Sequence, residues 1–117
     1  MADTRDTRDK RRTRALVSLP PQLRAGQVFE VRATLSHPME TGQRVGADGQ
    51  RVPRDIVTRF EARLDGVLVF AADLFPAITA NPYLAFPLRA ERNASLQLQW
   101  TGDHGFEHTE TVALVVA

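Results

Sequence analysis

Cysteine is absent from the chain. That excludes disulfides, thiol catalysis, iron–sulfur clusters and cysteine-ligated zinc within these residues, and it fits an oxidising or a reducing compartment equally. Histidine is scarce, at three residues, and leaves little for a metal site. No apolar run approaches the roughly 18–20 residues that cross a bilayer, so a membrane span is not expected. A glycine-rich phosphate cradle is missing, and so is any sustained helical periodicity. What remains is average: 117 residues, 43% hydrophobic and 25% charged. Such a chain forms one globular domain able to bury about two-thirds of its unfolded surface without staples.

Charge is divided unevenly. Residues 1–14 hold six basic groups (Arg5, Arg8, Lys10, Arg11, Arg12, Arg14) against three aspartates, and the remainder is net acidic. With only Met1 and Ala2 apolar, this segment cannot bury a core and is expected to be a disordered tail ahead of a single domain at 15–117. Arg11-Arg12 has the look of a twin-arginine export signal, but Leu16-Val17 runs directly into Pro20-Pro21 where a long apolar stretch is needed. No export signal is expected. The interspersed aspartates dilute the tail's field, and no nucleic-acid partner is expected either.

From Ala15 onward the pattern is that of strands. In Gln27–Leu35, residues Phe29, Val31, Ala33 and Leu35 share one face while Glu30, Arg32 and Thr34 share the other. In Asp55–Leu64, residues Ile56, Thr58, Phe60, Ala62 and Leu64 alternate with Val57, Arg59, Glu61 and Arg63. A period of two with charge on one side marks a half-buried strand. Asp65-Gly66 then predicts a tight hairpin into Val67–Ala71, because a type I′ turn needs positive φ at both central positions. Leu96, Leu98 and Trp100 mark another strand, whose shared face makes Trp100 a core residue. Phe106–Ala117, Leu16–Leu19 and a segment near Leu84–Leu88 bring the total to about seven. The expected fold is an all-β, immunoglobulin-like antiparallel sandwich.

Two segments break the alternation. Val67–Ala71 and Val112–Ala117 are apolar at every position, which calls for cover on both faces. A neighbouring chain could supply it, making Val67, Val69, Phe70, Ala113, Val115 and Ala117 partner-interface candidates. Alternatively, these are scattered exposed residues of the ordinary kind.

Chemistry-bearing clusters are sparse. Between His37 and Pro53, Gln43-Arg44-Val45 and Gln50-Arg51-Val52 flank Gly46–Gly49, which reads as a small projecting hairpin. It gathers Arg44 and Arg51, with Arg54 and Arg59 following, as either an anion patch or ordinary surface charge. His104 and His108, four apart, would share a strand face, yet two histidines without a third ligand rarely hold zinc. Ser36, His37 and Asp55 supply the residue types of a hydrolase triad without a nucleophile elbow. Asn93-Ala94-Ser95 matches a glycosylation acceptor, a tripeptide common by chance. Asp48-Gly49 lacks the acidic ladder of a calcium loop. No catalytic residue, cofactor or metal is assigned, and the chain is expected not to be an enzyme. A free-standing binding module for an acidic partner stays open as an alternative.

The stretch His37-Pro38-Met39-Glu40-Thr41-Gly42-Gln43-Arg44 closely resembles the SoxZ family, the Z subunits of the Sox thiosulfate-oxidising sulfur-carrier complex. The resemblance continues through Pro53-Arg54, Ile56, Phe60, Asn81-Pro82-Tyr83, Phe86, Trp100 and Val115-Val116-Ala117, and covers Val17–Ala117. It implies an immunoglobulin-like sandwich in a heterodimer with a Y subunit, whose cysteine on a flexible arm carries the sulfur intermediates. It further implies a non-catalytic scaffold that makes transient contacts with other pathway enzymes. Residence in the periplasm is implied as well. With no signal visible in this chain, co-export with a signal-bearing partner is the expected route.

Overall fold

The computed structural model describes residues 15–117; the expected disordered tail at 1–14 lies outside the described residues. Seven strands follow in order: β1 (Ala15–Ser18), β2 (Val28–Leu35), β3 (Val57–Leu64), β4 (Val67–Asp73), β5 (Tyr83–Arg89), β6 (Ala94–Gly102) and β7 (Glu107–Leu114). They form an antiparallel three-stranded sheet, β1-β2-β5, and an antiparallel four-stranded sheet, β4-β3-β6-β7. The two pack face to face as a sandwich of the immunoglobulin-like kind.

Alternation decides what is inside. In β2, Phe29, Val31, Ala33 and Leu35 are buried, and in β6 so are Leu96, Leu98 and Trp100. Phe60 of β3 lies at the centre, its ring 5.1 Å from Trp100, 5.8 Å from Phe86 and 6.1 Å from Phe70. Phe86 of β5 stacks on Phe70 of β4 at 4.5 Å, so aromatic contact bridges the sheets where β4 and β5 form one side of the sandwich.

The Asp65-Gly66 turn has the expected geometry, with φ of 48° and 86°. Elsewhere the elements differ from the sequence pattern in definite ways. Thr58 does not join the core; a register irregularity between Val57 and Arg59 turns Val57 inward to full burial instead. In β4 a bulge opposite Ala62/Arg63 adds one residue, which brings Val69 and Phe70 to the same side. The last strand is shorter than Phe106–Ala117. A 3₁₀ turn at Asp103–Gly105, with His104 left-handed at φ 59°, delays its start. After Leu114 the chain leaves β6, and Val116 forms a parallel bridge with Leu23 instead.

Candidate functional site at the loop end

Three connections leave the same end of the sandwich: residues 36–56, 74–82 and 103–106. They bring the sequence motif together. His37 is buried, and its ring meets Phe106 edge-on at 4.9 Å. Its Nδ1 accepts the Met39 N–H at 2.9 Å, which leaves the proton on Nε2, 3.8 Å from Asp55 Oδ1. Burial pushes the His37 pKa down, opposed by the nearby charges of Asp55 and Asp103. His37 and Asn81 are laced together: the His37 N–H donates to Asn81 Oδ1 at 2.9 Å and the Asn81 N–H to the His37 carbonyl at 2.7 Å. Pro82 is fully buried beside them, its carbonyl accepting the Leu35 N–H, while Tyr83 is exposed.

Met39 is buried at φ 52°, and its sulfur accepts the Val57 N–H at 3.3 Å. Glu40 and Asp55 exchange two backbone bonds. Gly42, at φ 89°, passes over Arg54, where a Cβ would come within 3.2 Å of the Arg54 Cβ. With Asn81 at φ 54° and His104 at φ 59°, this end collects three of the four non-glycine left-handed residues described. Backbone of that kind is retained only where its surroundings over-determine it.

Asp103 ties the loops together. Its carboxylate takes two bonds from the Arg54 guanidinium at 2.8 Å each and one from the Ile56 N–H at 3.1 Å. The Arg54 bonds and then the Ile56 N–H hold its carboxyl below the usual range. Next to it, the Asp103 N–H donates to the Ile56 carbonyl at 2.9 Å, and Gly102 crosses the β3 backbone where no side chain fits.

The expected hairpin is present, with Val45 bridged to Arg51 and Gly46 N–H bonded to the Gln50 carbonyl at 2.7 Å. Its arginines are not pooled. Arg44 lies on Glu40, whose carboxyl it holds low; Arg54 lies on Asp103; Arg59 lies between Glu61 and Asp73. Arg51 donates to Gln43 Oε1 at 3.0 Å. Three of the four arginines are thus paired with carboxylates, while Arg51 is held by neutral groups.

The catalytic groupings do not assemble. Ser36 lines a shallow outer pocket with Leu16, Thr34 and Asn81, while His37 points inward with its basic nitrogen already occupied. His104 Nε2 meets the Arg54 carbonyl, and His108 Nε2 meets Glu110 at 2.8 Å. Among the described residues no three of His, Asp and Glu converge as a metal site. The Asn93 side chain is used structurally, accepting the Val116 N–H at 2.7 Å.

The interface candidates separate. β4 and β7 are opposite edges of one sheet. Val67 and Val69 are exposed at one edge, and Phe70 is half-buried against Phe86. At the other, Leu114 is buried, Val112 and Val116 are half-buried, and Ala113, Val115 and Ala117 face outward. Sequence reasoning missed Gly102, Asp103 and the exposed Phe75 and Ile78. A glycine inside a strand pattern is a signal of close backbone approach and would have flagged Gly102.

The two antiparallel sheets and their tied loop end define the chain's class as an all-β, immunoglobulin-like sandwich. Within that class the family is shown by its own model. Residues 17–113 match sulphur oxidation protein SoxZ, and the chain belongs to the SoxZ family, the subunits of the Sox sulfur-oxidation system. No curated protein sequence matches it. Among solved structures it is similar to the superoxide reductase (neelaredoxin) from Ignicoccus hospitalis, with TM-score 0.69 and 18% identity over 90% of this chain and 82% of that one. It is also similar to the sulfur carrier protein SoxY from Chlorobium limicola, with TM-score 0.63 and 13% identity over 88% and 78%. The CARDB domain of PF1109 from Pyrococcus furiosus aligns at TM-score 0.51 and 10% identity over 90% and 95%. At these identities the likeness is one of fold.

Proposed function

We propose that the protein is the non-catalytic scaffold of a two-chain sulfur carrier, working with a Y-type subunit whose cysteine bears the sulfur during thiosulfate oxidation. The observation that carries this reading is the family match across residues 17–113 in a chain without a single cysteine. A covalent sulfur carrier needs a thiolate nucleophile, and here the partner must supply it. The loop end supports the same reading: each buried or charged group there is spent on holding the loops, and none stands as a nucleophile beside a free base. The scaffold makes its transient contacts with the other enzymes of the pathway from this complex. It works in the periplasm, carried across as a folded complex by a partner that bears the export signal.

Affinity purification of the full chain from native extract tests the pairing, with a cysteine-bearing Y-type subunit expected in stoichiometric amount. Thiosulfate-derived label should sit on that subunit alone. Recovery of this protein without such a partner, or label on this chain, refutes the scaffold reading. Deleting the partner's gene should empty the periplasm of this protein; normal levels there refute co-export.

A further inference from the structure

One side of the sandwich is far more apolar than the rest. Ten large apolar side chains are exposed among the described residues, and six lie along β4, the 74–82 loop and the start of β5: Val67, Leu68, Val69, Phe75, Ile78 and Tyr83. These two edge strands are neighbours, since Phe70 stacks on Phe86 between them. With side-chain areas of roughly 150–200 Å², the six exposures leave about 500 Å² of apolar surface. That is the upper range for a lone domain and most of the ~800 Å² a side that a stable pair of proteins buries.

The backbone on this side is equally unfinished. The sandwich has four edges, and three are guarded by shortness, proline or charge. β1 is only four residues long and runs into Pro20-Pro21. β5 holds Pro87 and Arg89, and β7 holds Glu107, His108 and Glu110. β4 has neither proline nor charge from Val67 to Ala72. The bulge at Val69 is its one interruption; beyond it Phe70–Ala72 keep regular register with Phe60–Ala62, and the other side of β4 pairs with no strand. Beside the strand lies a cleft of about 210 Å³. Val67, Val69, Leu64 and Leu114 supply apolar lining, and charged side chains including Arg89 and Glu91 line it as well. Drug-sized ligands occupy roughly 300–1,000 Å³, so this cleft suits one or two side chains.

We infer that the free edge of β4 is where the Y-type partner docks, adding an extended strand to the four-stranded sheet and seating an apolar side chain in the cleft beside Val67 and Val69. This rests on the scaffold reading above. The SoxY fold is itself a sandwich of this kind, with edge strands of its own to offer. Main-chain pairing supplies register, and the apolar side contributes the buried area.

The test uses the full chain and the purified Y-type partner. The double variant Val67→Lys/Leu68→Lys should weaken the complex about 100-fold or more by calorimetry, while Leu16→Lys and Val115→Lys, on the far side, leave it unchanged. Both edge positions are 47–65% exposed, so the variant should melt near wild type. Should it fail to fold, hydrogen exchange on the wild-type complex decides: new protection of β4 amides is expected on binding. Full affinity in the edge variant, loss of affinity in the Leu16 or Val115 variant, or unprotected β4 amides in the complex each overturn the assignment while leaving the scaffold reading intact. Self-association through β4 that excludes the partner also overturns it, making the occupant a second copy. No complex with wild-type protein refutes both.

Discussion

Replacing Gly102 by alanine isolates a purely steric demand. Gly102 is extended, at φ −166° and ψ −161°, a conformation alanine adopts freely, so left-handed strain plays no part. The obstacle is the neighbouring backbone. A Cβ would overlap the Ile56 carbonyl oxygen and lie 2.9 Å from Val57 Cα and 3.1 Å from the Ile56 carbonyl carbon. None of these atoms belongs to a flexible side chain, so β3 and β6 must part. Overpacking of this kind costs about 1–3 kcal/mol. Parting the strands also loses the Asp103 N–H bond to Ile56, worth about 1 kcal/mol net. Stiffening the unfolded chain returns only about 0.4–1 kcal/mol. The net is about 1–3.5 kcal/mol, which for a domain of this size lowers the melting temperature by roughly 5–25 °C. Thermal unfolding followed by circular dichroism measures it. Gly49→Ala is the contrasting control, because its φ is 82° and its surroundings are open, so only conformational strain acts there. A Gly102→Ala protein melting within about 3 °C of wild type would refute the close-approach argument.

Four further outcomes are expected. His37 is neutral in the fold, so above about pH 6.5 it is uncharged folded or unfolded and contributes no pH dependence. Below that the unfolded chain takes up a proton that the fold resists, and stability falls; urea midpoints across pH 5–8 should show the decline, reduced in His37→Gln. Asp103, Glu40 and Glu61 are held low by their arginine partners, and the stability they contribute is present above the ordinary carboxylate range and lost as pH falls through it. Acid titration of Asp103→Asn should therefore be flatter below about pH 4.5 than wild type. Phe60→Ala, which empties the site shared by Phe70, Phe86 and Trp100, should cost about 3–5 kcal/mol in chemical denaturation. Far-UV circular dichroism should show sheet with little helix, as the seven strands require.

Strand content was legible because β2 and β6 bury one clean face, and a period of two survives in the residue order. The hairpin at Asp65-Gly66 was legible because its backbone accepts few residue types. The failures have a common cause. Val57 replaces Thr58 inside, and Val69 joins Phe70 on one side, because bulges shift parity without leaving a mark in hydrophobicity. Asp103 was invisible because its partners, Arg54 and Ile56, are some fifty residues away along the chain. The four arginines looked like a pooled positive patch because two of the carboxylates that pair with them, Asp103 on Arg54 and Asp73 on Arg59, come from elsewhere in the chain. The motif around His37 was readable as a resemblance, yet the reason for it, a ring nitrogen receiving the Met39 N–H, is a matter of geometry alone.

The Asp65-Gly66 hairpin has a kinetic consequence. The pairings of β3 with β6 and of β2 with β5 join residues far apart in the chain, and such topologies close slowly, in milliseconds to seconds. The β3–β4 hairpin is local, joined by two residues, and such units form in about 1–10 μs. Once formed, this hairpin displays the charge-free strand Val67–Ala72 before the second sheet arrives to shelter Phe70. Synthesis alongside a binding partner would shorten that exposure, and production of this chain alone should yield more aggregate than production of the pair.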